Sequence, residues 1–285
     1  MRRFAFVTII ACACALALAS FALAGCAAPE PPHSEEAPLA VSDNTEIGRK
    51  VVCWGDSLTY GTGASEAFIM TTDDFYDASN QSYPAILAHF THLPTFSFGF
   101  PGATSLEIMQ MYLGTGTVGI SALFRPFTSN DEPNSIARAG DVLVIEMGSN
   151  GGWEDYDELI DQYRAIIEYG GCTDYIVLGD TDDPGTSFAY VDQWQFFYGS
   201  GEQETMWEQA LREEFGDHFL NLRAWLVENG LEVAGLEPTY EDYDAAQMGC
   251  ISPQLRADET HLNSYGYYAQ ARAVYEHGAM LGYWE

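Results

Sequence analysis

The chain has 285 residues, of which 47% are hydrophobic, enough to bury one sizeable core and too many for global disorder. There are 42 acidic residues against 11 basic ones, and the formal net charge is −31. This charge repels nucleic acid and anionic lipid, so we expect no nucleic-acid partner. No period of about 20–50 residues recurs, which excludes a solenoid or a propeller.

The N-terminal segment has the order of a secretory signal. Arg2 and Arg3 precede an uncharged run over residues 4–26 that is long enough to span a bilayer, so an uncleaved membrane anchor is one interpretation. The run ends in Leu-Ala-Gly-Cys at 23–26, which resembles a bacterial lipobox and implies cleavage before Cys26 and lipidation of that residue. We therefore expect a lipoprotein signal peptide over residues 1–25.

A segment rich in proline and glutamate follows the lipobox. Residues 26–47 hold few large apolar side chains, so they cannot bury enough surface to fold and should form a flexible tether behind the lipidated Cys26. The tether would hold a single domain, residues 48–285, at the outer face of the bacterial cell membrane. Such a location also suits the acidic composition, which favours solubility outside the cell.

Six cysteines are present, and none forms a Cys-x-x-Cys pair. Two lie in the signal segment and a third is the proposed lipid acceptor Cys26. Cys53 stands in an apolar run and is expected to be a buried thiol. Cys172 and Cys250 remain, and the sequence leaves open a disulfide between them.

Short apolar runs predict strands, and longer runs with helical spacing predict helices between them. In chain order the sequence predicts a strand at 50–54, a helix at 83–90, strands at 96–100 and 141–147, a helix at 156–167, a strand at 175–179, a helix at 204–215, a strand at 218–222, and a last helix that Asn263 caps and that continues to about residue 280. The continuously apolar strands predict a parallel sheet covered on both faces. We therefore expect a three-layer, flavodoxin-like α/β/α sandwich whose site lies beyond the carboxyl ends of the strands.

Polar, glycine-containing segments stand where three of these strands end. They read Gly-Asp-Ser at 55–57, Gly-Phe-Pro-Gly at 99–102 and Gly-Ser-Asn-Gly at 148–151. A fourth segment, Asp-Glu-Thr-His at 258–261, precedes the last helix. A serine hydrolase needs a nucleophile, an imidazole base, an acid that orients the base, and donors for an oxyanion. The four segments together contain all of these groups.

With these four segments the sequence resembles the SGNH/GDSL hydrolases over residues 48–285. That family is named for Ser, Gly, Asn and His in four blocks, and these match Ser57, Gly99, Asn150 and His261. The surrounding stretches are similar to a bacterial esterase branch of the family. Any one block is a weak signal, because Gly-Asp-Ser occurs by chance, but four blocks in the right order are specific.

The chain departs from the family pattern at several places. Ser97 stands where the second block often has Asn, and Gly151 where the third block often has Asp. Neither change removes a catalytic group. A polar insertion at 71–81 and an aromatic stretch at 194–198 look particular to this chain, so a substrate cannot be carried over from relatives.

The resemblance implies a role for each matched residue. Ser57 would attack an ester carbonyl, and His261 would take its proton and later return it to the leaving alcohol. Asp258 would orient the imidazole. The backbone N–H groups of Ser57 and Gly99 and the side-chain amide of Asn150 would hold the oxyanion. Neither a metal nor a cofactor is needed for this chemistry.

Other interpretations of these residues stay open. Ser57 is also a residue type that caps helices after strands, and Asp180 and Glu259 are alternative acids for His261. A dinucleotide-binding loop at 61–66 is disfavoured, because Glu66 stands where the third glycine is required. The G-x-S-x-G elbow of the α/β-hydrolases is absent around Ser57.

The sequence thus predicts a serine esterase acting through an acyl-enzyme. The substrate is expected to be an O-acyl ester, in particular an O-acetyl ester, on a carbohydrate or envelope glycan. A lipase, lysophospholipase or thioesterase of the same mechanism is the alternative. A non-catalytic binding lipoprotein on the same fold is the alternative of another class. The expected partners are an ester substrate and, through Cys26, the membrane, and the chain is expected to be a monomer.

Overall fold

The computed structural model describes residues 48–64, 81–115, 129, 132–152, 154–181 and 204–284. The proposed signal, the lipid acceptor Cys26 and the tether lie outside the described residues. So do residues 71–80 of the polar insertion and the aromatic stretch at 194–198.

A five-stranded, all-parallel sheet forms the centre of the domain. Its strands are β1 (Val51–Gly55), β2 (Thr95–Gly99), β3 (Val142–Glu146), β4 (Asp174–Leu178) and β5 (Phe219–Leu220). They lie in the order β2-β1-β3-β4-β5, the doubly wound order of flavodoxin-like folds. Gly55, at the end of β1, is in register with Gly99 of β2 and Glu146 of β3, so three strands end at the same edge. The predicted fold class is confirmed.

The helices alternate with the strands along the chain. They are α1 (Ser57–Tyr60), α2 (Tyr83–Thr91), α3 (Ser105–Leu113), α4 (Tyr156–Gly170), α5 (Met206–Phe215), α6 (Leu222–Val233), α7 (Tyr240–Gln247) and α8 (Ser264–Met280). Short polar side chains fix several N-termini. Thr104 and Thr205 form capping boxes at α3 and α5, and the Asn263 side chain accepts from the N–H groups of Tyr265 and Gly266 at the start of α8.

Each face of the sheet carries its own apolar core. Side chains of alternate strand positions point to opposite faces, so Val51 and Cys53 pack with α2, α6 and α8, while Val52 and Trp54 pack with α3, α4 and α5. Both faces of β1 and β3 are fully covered, which accounts for their continuous apolar sequence. The domain is therefore the predicted three-layer sandwich.

The prediction of a strand at 218–222 is wrong in its extent. Only Phe219 and Leu220 are extended; the residues before them form a 3₁₀ helix, Gly216–His218. Asn221 then accepts a hydrogen bond from the N–H of Ala224 and starts α6, so the apolar run continues as a helix rather than a strand.

Cys53 is buried, as expected. Cys172 and Cys250 are not joined by a disulfide; the Cys172 thiol donates instead toward the backbone oxygens of Asp141 and Asp174, both at 3.2 Å. Burial raises the pKa of the Cys172 thiol to about 11, which makes it a poor nucleophile near neutral pH. None of the described helices is long and apolar enough to cross a membrane.

Candidate active site

Ser57 is the first residue of the single-turn helix α1, directly beyond β1. Asp56, rather than Ser57, is the N-cap of this helix, since its carboxylate accepts from the N–H of Leu58 at 3.0 Å. The capping interpretation of Ser57 is therefore wrong, and its hydroxyl is left to other partners. Ser57 is 8% exposed and stands beyond the carboxyl end of β1, at the edge where parallel sheets place their sites.

His261 and Asp258 lie on one tight turn before α8. A bridge between Arg256 and Leu262 closes the turn, and the N–H of Ala257 donates to the oxygen of His261 at 2.9 Å. Inside it, the Asp258 carboxylate accepts from the backbone N–H groups of Thr260 (2.9 Å) and His261 (2.7 Å). The turn thus fixes the carboxylate relative to the imidazole by local hydrogen bonds alone.

The structure brings the predicted nucleophile, base and acid together. Nε2 of His261 is 3.0 Å from Oγ of Ser57, and Nδ1 is 2.9 Å and 3.1 Å from the two oxygens of Asp258. These distances lie within hydrogen-bond reach for a nucleophile, its base and the group that orients the base. The ring nitrogens of His261 thus face Ser57 on one side and Asp258 on the other.

The hydrogen bonds around Asp258 favour its ionised form. Partial burial raises the pKa of this carboxyl, but the hydrogen bonds from the backbone and ring of His261 and from the N–H of Thr260 together outweigh it, so the pKa is lowered. An ionised Asp258 keeps a proton on Nδ1 of His261 and leaves Nε2 to accept one from Ser57. Its side chain is 56% exposed, so water also reaches the carboxylate.

The two alternative acids are placed differently. Asp180 follows β4, is buried, and accepts from the N–H of Thr181 at 2.7 Å. Glu259 presents its backbone oxygen to Arg256 in the turn. The ring of His261 faces the carboxylate of Asp258, so the geometry favours Asp258 as its acid.

Asp56 is a site residue that the sequence analysis did not single out. Its second carboxylate oxygen accepts from the Ser149 hydroxyl at 2.7 Å and from the Asn150 side-chain amide at 2.9 Å. The carboxylate is 1% exposed. Asp56 therefore joins the loop after β1 to the loop after β3 and restrains the Asn150 amide beside Ser57. Its place in the Gly-Asp-Ser segment was visible in the sequence, but its partners were not.

Burial and nearby acidic residues shift the pKa of Asp56. Burial raises its pKa to about 6, although hydrogen bonds from Leu58 and Ser149 oppose this, and the charge of Asp180 raises it further. Glu146, in register with the preceding Gly55, has a pKa raised well above the usual value by burial and by the charges of Asp56 and Asp180. Glu146 accepts from the amide of Gln270 at 3.1 Å.

Gly99 lies at the end of β2, where α1 passes closely over the strand. A Cβ atom at Gly99 would lie 2.2 Å from the backbone nitrogen of Tyr60 and 2.7 Å from the carbonyl carbon of Thr59. Only a glycine permits this approach of backbone to backbone. The close contact keeps the end of β2 next to the helix that carries Ser57, consistent with the expected place of Gly99.

No protein-family model and no curated protein sequence matches the chain.

Solved structures resemble it at low identity. They include a protein assigned to the G-D-S-L lipolytic family from Desulfitobacterium hafniense, at 13% identity and a TM-score of 0.47, covering 81% of this chain and 99% of that one. A carbohydrate esterase family 2 enzyme with its carbohydrate-binding domain from Myceliophthora fergusii has 14% identity and a TM-score of 0.46, covering 90% and 69%. A carbohydrate acetylesterase from Sinorhizobium meliloti has 16% identity and a TM-score of 0.39, covering 82% and 99%.

Proposed function

We propose that the chain is a serine esterase of the SGNH/GDSL type. The observation that carries the proposal is the hydrogen-bonded series from Ser57 through His261 to Asp258. It joins residues 204 positions apart in the sequence and lies at the carboxyl edge of a parallel sheet. A surface histidine or a structural serine would not require this alignment.

The proposal assigns a group to each step of ester hydrolysis. The Ser57 oxygen attacks the ester carbonyl while Nε2 of His261 accepts its proton, and the ionised Asp258 stabilises the imidazolium that forms. The negative charge on the carbonyl oxygen would be met by the Asn150 amide and the backbone N–H groups of Ser57 and Gly99. His261 then protonates the leaving alcohol, and water, activated by the same ring, cleaves the acyl-enzyme.

A fluorophosphonate probe tests this proposal against that of a non-catalytic binding lipoprotein. The probe reacts with an activated serine, so the full-length chain should be labelled and Ser57→Ala should not. Ser135→Ala is a matched control, because Ser135 is also buried but its hydroxyl donates to the oxygens of Ser129 and Glu132. If the chain fails to react, or if Ser57→Ala is still labelled, Ser57 is not the nucleophile.

The proposed substrate is an O-acyl ester, in particular an O-acetyl ester, on an extracellular carbohydrate or envelope glycan. The expected location outside the cell and the resemblance of the four blocks support it. A panel of p-nitrophenyl esters of rising acyl length, followed by acetylated glycans, tests the choice. Rates that climb steadily to about twelve carbons would favour the lipase alternative, and thioester turnover would favour a thioesterase.

The proposed location rests on lipidation of Cys26. The change Cys26→Ser should release the protein from the membrane fraction or stall its processing, while esterase activity persists. Mature mass and membrane fractionation measure the outcome. If Cys26→Ser stays membrane-bound with an unchanged mature mass, the apolar run is an uncleaved helix instead.

A further inference from the structure

A groove of about 560 Å³ lies along the open side of β2 and begins at Gly99, one of the proposed oxyanion donors. β2 is an edge strand of the sheet, since only β1 pairs with it in the described part of the chain. One wall is the start of α2 with Ser82, and Tyr60 of α1 lies beside Gly99. The groove therefore reaches the carboxyl end of β2, next to α1, the helix that begins with Ser57.

The lining of the groove combines one exposed ring with several hydroxyl groups. Tyr60, one helical turn after Ser57, is 57% exposed. Ser82, Thr95 and Ser97 add hydroxyls, and Phe100 packs beside the buried ring of Trp54, with centroids 5.7 Å apart. Aromatic faces beside hydrogen-bonding groups suit a ligand with one apolar face and many hydroxyls. A sugar ring has this character.

The charges at and around the groove limit the class of ligand that it can bind. Glu132 is the one charged residue among the lining residues that the structure describes, and the whole chain carries a net charge of −31. A carboxylate in this field repels uronates, phosphates and other anionic polymers. The same carboxylate would lose hydration against a fatty acyl chain without a compensating hydrogen bond, whereas sugar hydroxyls can donate to it.

We propose that the β2 groove is a subsite for a neutral, O-acylated oligosaccharide, whose next sugar lies over Tyr60 while the ester reaches Ser57. The proposal rests on the proposed esterase function and names its substrate class. The proposed subsite also gives the small side chain of Ser97 a role. Ser97 is exposed, and its side chain, which donates to the oxygen of Thr59 at 3.3 Å, is small enough to leave the groove open.

Binding is measured by calorimetry on the full-length Ser57→Ala chain, which removes the nucleophile and so separates binding from turnover. The probe is O-acetylated xylohexaose, and an acetylated oligogalacturonate is the anionic comparison. We expect the xylohexaose to bind and the oligogalacturonate to bind far more weakly. Adding Tyr60→Ala should weaken xylohexaose binding about tenfold, the effect of losing one aromatic contact, and Tyr60→Phe should restore it.

Two further variants complete the test. Ser97→Leu fills the groove from an exposed position, so it should fold and should also weaken binding. Tyr243→Ala removes an exposed ring on α7, away from the groove, and should leave the affinity unchanged. Equal affinities in all variants, absent binding, or a preference for the anionic sugar, an extended peptide or a fatty acid would overturn the proposal. Loss of fluorophosphonate labelling in the parent would overturn the esterase function separately.

Discussion

The side-chain amide of Asn150 donates a hydrogen bond of 2.9 Å to the carboxylate of Asp56, 94 residues earlier in the chain. An amide nitrogen carries two hydrogens, so one remains for an oxyanion. The Asp56 carboxylate therefore determines the direction in which Asn150 can donate. In the proposed mechanism, the Asp56 carboxylate would therefore act on the reaction through Asn150, as a positioning group.

Asp56→Asn should lower kcat about tenfold or more with a smaller change in KM. An asparagine has a single acceptor oxygen at this position. If that oxygen caps Leu58, its NH₂ group faces the NH₂ group of Asn150, and if the oxygen faces Asn150, its NH₂ group faces the N–H of Leu58. A misdirected oxyanion donor reduces binding of the transition state more than that of the ester. Steady-state kinetics on p-nitrophenyl acetate measure the split.

Asp141→Asn is the matched control for Asp56→Asn. Asp141 is also buried, and it accepts from the N–H groups of Lys50 and Arg138 at the opposite end of the sheet. This control should lower the melting temperature and leave kcat close to the parent value. Similar kinetic losses in both variants would mean that Asp56 only supports the fold.

The ionisation of Asp56 should appear in the pH dependence of stability. Its pKa is raised by burial from the usual 3.8 to about 6, so the folded state holds a proton that the unfolded chain releases earlier. The stability from this group is fully present below pH 3.8 and is lost as pH rises to about 6. Urea unfolding at pH 4–7 should show the parent losing about 2–3 kcal/mol relative to Asp56→Asn. A difference that stays constant, or rises with pH, would contradict the assigned shift.

Asn150→Ala should reduce kcat by about a hundred- to a thousandfold, the usual cost of removing one oxyanion donor. KM should change little. The melting temperature should fall only modestly, because the buried Asp56 carboxylate loses one hydrogen bond but keeps those from Leu58 and Ser149. Ser149→Ala is the control: it removes the other hydrogen bond to the same Asp56 oxygen but keeps the amide, and its kcat should fall far less. An unchanged kcat in Asn150→Ala would exclude the amide from the oxyanion hole.

Asp258→Ala should be milder than His261→Ala. The second change removes the base, whereas the first removes only its orienting group, and water can reach the vacated place because Asp258 is largely exposed. Turnover of p-nitrophenyl acetate by both variants measures the difference. Asp180→Asn tests the buried alternative, and a larger loss there than in Asp258→Ala would reverse the assignment.

Gly99→Ala should damage both the fold and the site. The added methyl group would overlap the backbone of Tyr60, so β2 and α1 must separate, at a cost of about 1–3 kcal/mol or roughly 3–10 °C in melting temperature. Gly48→Ala is the control, because a Cβ there meets no atom within 4 Å. A Gly99→Ala variant that is as stable and active as Gly48→Ala would show that the close approach is unimportant.

The buried strands could be predicted from the sequence because burial on both faces leaves a continuous apolar run. The predicted strand at 141–147 and the observed β3, Val142–Glu146, differ by one residue at each end. The helix-capping signals in the sequence also predict helices, and two of these helices are missing from the sequence-based prediction. Thr104 and Glu107 have the spacing of a capping box before α3, and Thr239 and Asp242 have the same spacing before α7, yet neither helix was predicted.

Some contacts of the site could be predicted from the sequence, and others could not. The pairing of Asp258 with His261 is local, because three residues of a tight turn bring them together, and the motif spacing indicates it. The Asp56–Asn150 bond depends on two strands becoming neighbours, and no local pattern encodes that adjacency. The groove beside Gly99 likewise follows from β2 lying at the edge of the sheet, which the strand order decides.

Because one turn carries both Asp258 and His261, assembly of the proposed triad depends on a single tertiary distance. Acid and base are set by the turn itself, so only the 3.0 Å separation from Ser57 depends on docking the segment before α8 against α1. A small displacement of that segment would carry base and acid away together, with their own hydrogen bond intact. Catalysis would then stop although each helix and strand stays folded. The turnover rate would therefore be a sensitive measure of how the C-terminal part of the chain packs against the rest of the domain.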